Sequence, residues 1–482
     1  MFNNIFENKI LNNNSPVLVM GLNDKVQASY VWNLFGASKK NILVVTNTLY
    51  EANMLYKSLN QYDKDNILLF PMDDFLVSEA VATSPDLMSK RIETLNELAK
   101  NNIGKIVITN FMGYLRFLPS RKLWSSLNIN IKETDEINRD LLIQKLNMIG
   151  YKKDSIVTKT GEYANRGYIL DVFPYGYENP VRIEFFDDEI ESIREFSSDT
   201  QLSMKKKDNI EICPFTEFIN EKNIEDILER QSLLPRVVKK VSKIEDYLDS
   251  NITVYLDLNS IKLAYEKTMN EVLEFKETDQ FNIDKYMFDL NEVIKDKYVD
   301  ILKLDNYDLK KVEKEIYSST EIEKFNGNYD RINHFLKNML NSKKMIVVYL
   351  NDDHAVADFV SKTILPSVIT NLSDLKKDVI NIVKGDIPNG FIINDLVCLT
   401  KDELYKSNSV TTYRSKFKYG SKIKDVNKLK IGDYVVHMSH GIGRYLGIVT
   451  LTKRGLKKDY LNVEYKDGDK LYIPVEKIEY IS

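Results

Sequence analysis

Residues 16–22 read PVLVMGL and residues 42–46 read ILVVT, two unbroken apolar blocks joined by a helix-compatible segment through Trp32 and Leu34. A strand that is apolar at every position has no face to give to water. It belongs in a parallel sheet covered by helices on both sides. The alternation continues with a helix over residues 51–59, a strand at 67–70, an amphipathic helix around 87–98 and a strand at 105–109. An α/β domain is therefore expected over residues 1–118.

The pattern then changes. Residues 168–173 and 181–196 read as short β segments around the turn Asp187-Asp188-Glu189, which predicts a small antiparallel sheet inserted over 119–208. Residues 209–315 read as mainly helical, with one strand at 252–256, and as the return that completes the first domain. A second, smaller α/β domain is expected over 316–407 from the block MIVVYL at 345–350, a helix around 355–360 and strands at 390–393 and 396–400. It has no Gly-rich phosphate loop. Between Leu404 and Lys430 stand Lys406, Arg414, Lys416, Lys418, Lys422, Lys424, Lys428 and Lys430 against the single acid Asp425, so residues 408–428 read as a basic linker. From 429 to 482, short β blocks separated by Gly441, Gly443, Gly455 and Gly468 predict a small barrel of about five strands. The fold class expected is multidomain α/β, with an inserted α+β module and a C-terminal β-barrel.

Charge narrows the function classes. Lys+Arg number 67 and Asp+Glu 71, a formal charge of -4, so nucleic acid is not bound by the surface as a whole and any such contact is local. Cys213 and Cys398 lie far apart, and the four histidines do not join them at metal-ligand spacing. Neither a disulfide framework nor a metal site is expected. The opening MFNNIFENKILNNN is polar and contains Glu7, unlike a secretory leader, and the apolar runs fall far short of the ~20 residues of a membrane span. A soluble cytoplasmic chain without a membrane partner is expected.

In an α/β domain of this kind a nucleotide site would lie in the loop after the first strand. A phosphate loop needs glycines for backbone curvature, a Lys on the phosphates and a hydroxyl on magnesium. Here the stretch runs from Gly21 through Lys25 to Val26, Gln27 and Ala28. Val26 stands where the second Gly belongs, Gln27 replaces the Lys and Ala28 the hydroxyl, so no nucleotide cofactor is expected. His437 and His440 read as structural, because alternation makes His437 a strand residue. Asp73-Asp74 and Asp352-Asp353 read as solvated turns at strand ends. No catalytic residue and no metal ligand is assigned.

The remaining signals concern recognition. In Val181-Arg182-Ile183-Glu184-Phe185-Phe186, period two puts Val181, Ile183 and Phe185 on the core face and Arg182, Glu184 and Phe186 on the other. An arginine beside an exposed ring has the composition of a binding hot spot. Two readings are open: a partner site, or a ring covered by a neighbouring domain. Arg166-Gly167, at the entry to the adjacent strand, is the other candidate. The basic linker interleaves Tyr413, Phe417 and Tyr419 with its lysines, which fits nucleic-acid contacts and fits a solvated linker as well. The strand 447–452, followed by Lys453-Arg454-Gly455, would pair with a partner's strand if it lies at an edge.

The runs GEYANRG (161–167), DVFP (171–174) and RIEFFDDEI (182–190) resemble the module shared by UvrB and the Mfd family of bacterial transcription-repair coupling factors. The runs GDYVVH (432–437), HGIGRY (440–445) and KLYIPV (470–475) resemble the RNA polymerase-interacting domain of that family and of CarD-type regulators. Both in this order point to an N-terminal fragment of the coupling-factor family, whose full-length members carry an ATP- and magnesium-dependent DNA translocase after this point. The resemblance implies a UvrB-like first unit, binding of UvrA by the inserted module through Arg166, Arg182 and Phe186, and binding of the RNA polymerase β subunit by the barrel around Leu451, Lys453 and Arg454. It implies no enzyme activity for this stretch, with DNA contact weak or through the linker. The alternatives are a UvrB-like nucleotide-dependent damage-binding subunit and a CarD-like transcription regulator.

Overall fold

The solid apolar blocks are strands. In the computed structural model, Val17–Met20 (β1), Asn41–Thr46 (β2), Ile67–Phe70 (β3) and Ile106–Asn110 (β4) are buried at every position, as strands covered on both faces must be. The structure describes residues 5–73, 85–222, 224, 229–276, 285–302, 312–385, 387, 389–405, 432–437, 441–453, 456–464 and 470–474. The chain divides into two units, Met1–Ser409 and Val410–Ser482.

The first sheet has seven strands, and three of them come from the region expected to be mainly helical. Asn251–Leu256 (β15), Val299–Ile301 (β16) and Glu313–Ile316 (β17) complete the order β17-β1-β16-β15-β2-β4-β3. Of these only β15 was legible. β16 is three residues long, and β17 reads Glu-Lys-Glu-Ile because it lies at the sheet edge. The buried Glu315 of β17 is satisfied locally: it accepts from the Lys9 amide at 2.6 Å and from the Tyr317 hydroxyl at 2.7 Å. Helix α1 (Asp24–Ser38) starts at Asn23, whose side chain accepts from the Val26 amide. Its flanks are both covered, since one core joins Val31 and Leu34 to the first sheet and to Tyr349 and Phe391 of the second α/β domain. That explains why Gln27 and Asn33 are buried.

The chain leaves this sheet after β4 and returns at β15, which lies beside β2. Between them, after Leu118–Pro119 (β5) and Ile129–Lys132 (β6), the strands Lys152–Lys153 (β7), Glu162–Arg166 (β8), Ile169–Val172 (β9), Val181–Phe186 (β10), Glu189–Phe196 (β11) and Ser203–Lys206 (β12) form one sheet in the order β12-β11-β10-β9-β8-β7. Asn209–Ile212 (β13) pairs with β6 and Val241–Ser242 (β14) with β5, closing the neck of the insertion. The module's core accordingly runs from Leu127 to Ile219, later at both ends than the expected 119–208. Residues 209–219 belong to it because β13 finds its partner in β6.

A buried ion triad stands at the neck. Glu217 accepts from Arg91 Nε at 2.9 and 3.0 Å and pairs with Arg116 at 3.0 Å, and all three side chains are at most 7% exposed. Burial alone would raise the Glu217 carboxyl, but the Arg116 and Arg91 guanidiniums outweigh it and hold the group below its ordinary value.

The second α/β domain is a six-stranded sheet. Ser319–Thr320 (β18), Met345–Leu350 (β19), Ser367–Ile369 (β20), Ile380–Lys384 (β21), Phe391–Ile393 (β22) and Leu396–Leu399 (β23) take the order β18-β22-β23-β19-β21-β20. Asp352 is not a mere turn residue; it caps the helix Asp353–Lys362 and pairs with Lys401. Asp74 and the linker from Lys406 to Lys430 lie outside the described residues.

In the C-terminal unit, Tyr434–His437 (β24), Gly441–Lys453 (β25), Leu456–Glu464 (β26) and Lys470–Pro474 (β27) form a four-stranded antiparallel sheet. Among the described residues these are four of the about five strands expected for a small barrel, paired in sequence order. His437 is a strand residue; His440 lies outside the described residues.

One buried acid makes stability pH-dependent. Asp300, on β16, is pushed up to about 7, first by burial and further by the Asp257 carboxylate, although the Leu258 amide donates to it at 2.9 Å. Its folded value lies above the unfolded value near ~3.9. The folded state therefore holds the proton longer, and stability falls as pH rises from about 4 to 7. Asp300→Asn is expected to stabilise the protein by about 2–4 kcal/mol at pH 8 and by clearly less at pH 5. Equal gains at the two pH values in chemical denaturation would contradict this.

Candidate protein-binding interface

Strand β10 shows the alternation read from sequence: Val181, Ile183 and Phe185 are buried, Arg182 and Glu184 are half-buried, and Phe186 is 74% exposed. No neighbouring described residue covers that ring. The turn after it begins at Asp187, in the left-handed region with φ 57°, and sends the chain back as β11, with Phe186 opposite Glu189. A register shift between Glu184 and Phe185 re-aims the end of the hairpin.

The two candidate arginines meet on one carboxylate. Asp171 lies opposite Arg182 across the β9–β10 ladder and opposite Ala164 of β8. Its oxygens accept from Arg182 Nε at 2.7 Å and from the second Arg182 nitrogen at 3.0 Å. Arg166 also donates to it. Asp171 is fully buried while the Arg166 side chain is 46% exposed and that of Arg182 16%. Arg182 also lies 4.7 Å from the centre of the Phe196 ring, a cation–π contact. The bond to Asp171, though opposed by burial, raises the already basic guanidinium further. Arg182 is thus a pre-oriented fork anchored from behind, not the free surface residue that alternation alone suggests.

Sequence reasoning missed two participants. Asp171 was legible only as part of a motif, since its role depends on an ion pair across strands. Tyr168, 64% exposed, follows Gly167, whose φ is 61°, and its carbonyl accepts from the Phe185 amide at 2.8 Å; an exposed ring after a glycine turn was the available signal. Beside this face a cavity of about 430 Å³ is lined by Glu133, Glu184, Glu191, Arg194, Met204 and Lys206 among others. The surface thus offers one apolar ring, cations fixed by a buried acid and a polar recess, a composition suited to a polar protein partner with an apolar anchor point.

The loop after β1 has a different content. Val26, Gln27 and Ala28 are buried in α1, and Gln27 donates to the Leu22 carbonyl at 3.3 Å. Gly21 has φ 78°, and a Cβ there would lie 1.8 Å from the Tyr317 carbonyl oxygen. The Ser319 hydroxyl donates to the Gly21 carbonyl at 2.7 Å and accepts from the Asn23 amide at 2.7 Å. Lys25 pairs with Glu321 at 3.5 Å. The loop is thus tied to the segment 317–321 through Gly21, Asn23 and Lys25.

At the C-terminal site, Leu451 lies on β25 opposite Lys458, and Lys453 opposite Leu456; Arg454 lies outside the described residues. Strand β24 pairs with residues 441–444 of β25, and Tyr445 exchanges backbone hydrogen bonds with Gly432 and Asp433, so residues 447–453 are paired on one side alone, by β26, among the described residues.

Residues 129–218 match the UvrB interaction domain, and residues 429–482 match the CarD-like/TRCF RID domain. The first match coincides within two residues with the module's core. The transcription-repair-coupling factor of Bacillus subtilis strain 168 is 29% identical over 529 residues, covering 96% of this chain, and that of Staphylococcus aureus strain RF122 / ET3-1 is 27% identical over 525 residues with the same coverage. Over nearly its whole length the chain is similar to the N-terminal part of transcription-repair-coupling factors. It spans 44% and 45% of the lengths of those two relatives. Among the described residues no helix is long and apolar enough to cross a membrane.

Proposed function

We propose that this chain is a recruitment region that joins excision repair to blocked transcription in the cytoplasm: the inserted sheet offers its Arg166–Arg182–Phe186 face to UvrA, and the C-terminal sheet holds the β subunit of RNA polymerase. The observation that carries the reading is the 74% exposed Phe186 beside two arginines anchored on the buried Asp171, within the segment that matches a UvrB interaction domain. Pull-down of purified UvrA and polymerase β by the full chain tests it. Retention of neither protein would sink it.

The polymerase contact is proposed as strand addition along the open side of β25, with Leu451 at its centre and Lys453 and Arg454 facing an acidic patch of the partner. Leu451→Arg is expected to weaken capture of polymerase β at least tenfold, because a cation placed unpaired in an interface costs several kcal/mol. Undiminished capture would refute the placement.

We propose no catalysis and no nucleotide or metal cofactor for this chain; ATP and magnesium would serve a motor in longer relatives. Supporting this, the loop carries Val26, Gln27 and Ala28 where phosphate chemistry needs Gly, Lys and a hydroxyl, and Tyr317, Ser319 and Glu321 fill the space in front of it. Titration with magnesium-ATP is expected to give no binding heat up to millimolar nucleotide. Stoichiometric binding would favour the rival reading, a UvrB-like nucleotide-dependent subunit.

A further inference from the structure

The binding face proposed above ends at one tip of the inserted sheet. Strands β8 and β10 both run antiparallel to β9 between them, so Arg166 and Phe186, each the last residue of its strand, lie at the same end. Residues 133–139 cross that end between β6 and the helix Arg139–Met148. Glu133 pairs with Lys206 of β12 at 2.7 Å. The Thr134 amide donates to the Ile190 carbonyl at 2.9 Å, the Ile190 amide to the Asp135 carbonyl at 3.0 Å and the Ile137 amide to the Asp188 carbonyl at 2.7 Å. Asn138, the helix cap, donates from Nδ2 to Asp188 Oδ1 at 3.4 Å. Arg139 ends the series by donating to the carbonyl of Gly167, next to Arg166. One segment thus grips β12, β11, the turn after Phe186 and the turn after Arg166.

Two observations make this segment a brace rather than a passive connection. Thr134 has φ 73°, a region where a β-branched residue stays only when its surroundings over-determine it. The Gly167 turn, by contrast, is lightly held. A Cβ at Gly167 would meet nothing within 4 Å. Beyond the β8–β9 ladder, two hydrogen bonds tie the turn to its surroundings among the described residues: the Phe185 amide to the Tyr168 carbonyl, and Arg139 to the Gly167 carbonyl. Arg182 stands in mid-sheet, flanked by β9 and β11, and needs no such support. Arg166 ends its strand with its side chain 46% exposed, so its aim follows the turn.

We infer that Arg139 is a positioning residue for the UvrA contact, holding the Gly167 turn so that Arg166 is set before the partner arrives. A face ordered in advance does not lose that freedom on binding. The inference rests on the proposed UvrA site, so the test on the full 482-residue chain has one readout without UvrA. Arg139→Ala is expected to speed hydrogen exchange of the Phe185 amide about fivefold or more, the local opening that a freed turn allows. In capture of purified UvrA the same variant should bind about fivefold more weakly, with a melting temperature within about 2 °C of wild type. Arg139→Lys, which keeps a donor, should stay within about twofold of wild type. In the Arg166→Ala background Arg139→Ala should cost less than about twofold, because residues acting through one another do not add. Unchanged Phe185 exchange would overturn the inference whether or not UvrA binds. So would undiminished capture, an equal loss in the Arg166→Ala background, or a fall in melting temperature that accounts for the loss; each of these leaves the UvrA site standing. No capture by the wild-type chain would sink the UvrA reading, and the inference with it.

Discussion

Phe186→Ala is expected to weaken capture of UvrA by tenfold or more while leaving the melting temperature of the chain unmoved. The ring is 74% exposed, so removing it withdraws little packing from the fold, whereas a centrally placed aromatic anchor is commonly worth 2 kcal/mol or more, by alanine scanning about that order, in an interface. Arg182→Ala should separate from it. That change also weakens capture, but it leaves the fully buried Asp171 with only the half-exposed Arg166 and removes the contact with Phe196. A stability loss of about 2 kcal/mol is expected, somewhat below the usual cost of breaking a buried pair because one arginine remains. Binding and stability are therefore to be measured on both single variants. A large drop in melting temperature for Phe186→Ala would mean that the ring is core, and unchanged capture would remove it from the interface.

Glu217→Gln should give the largest stability loss, about 3–5 kcal/mol, since it strips the charge from the centre of a triad and leaves the buried Arg91 and Arg116 guanidiniums facing a neutral amide. The consequence is local as well as global. Glu217 leaves the inserted module just where Arg91 of the helix Pro85–Lys100 and Arg116, beyond β4, receive it, so the variant should loosen the module from the first sheet. The folded carboxyl lies below its unfolded value, so its contribution is present at neutral pH and above the unfolded value. It is lost as pH falls through the lower folded one. Denaturant titration at pH 7 and at pH 4 checks both points. In the Glu217→Gln background, Arg91→Ala should cost less than in the wild type, as coupled residues require. A loss under about 1 kcal/mol at pH 7 would show that the triad contributes little beyond what its burial consumes.

Much of this molecule was legible where one strand or one turn carries the information. The apolar blocks of β1, β2, β3 and β4 were readable because two-face burial leaves no polar position. The face of β10 was readable because side chains alternate with period two. The departure of the loop after β1 from the phosphate-loop pattern was readable because that pattern fixes residue types at set spacing. β16 and β17 were not readable, being short and, for β17, charged at three of four positions. They are strands because β1 lies between them.

The sequence by itself determined which residues point outward in the inserted sheet and which phosphate-loop residues the first loop does not carry. Both follow from local periodicity and residue type. Only the tertiary structure decided that Arg166 and Arg182 share one buried acid, that Glu217 meets Arg91 across 126 positions, and that Ser319 closes the loop at Gly21 from 298 positions away. Such contacts depend on strand order, and strand order is set by the packing of whole faces rather than by any single segment.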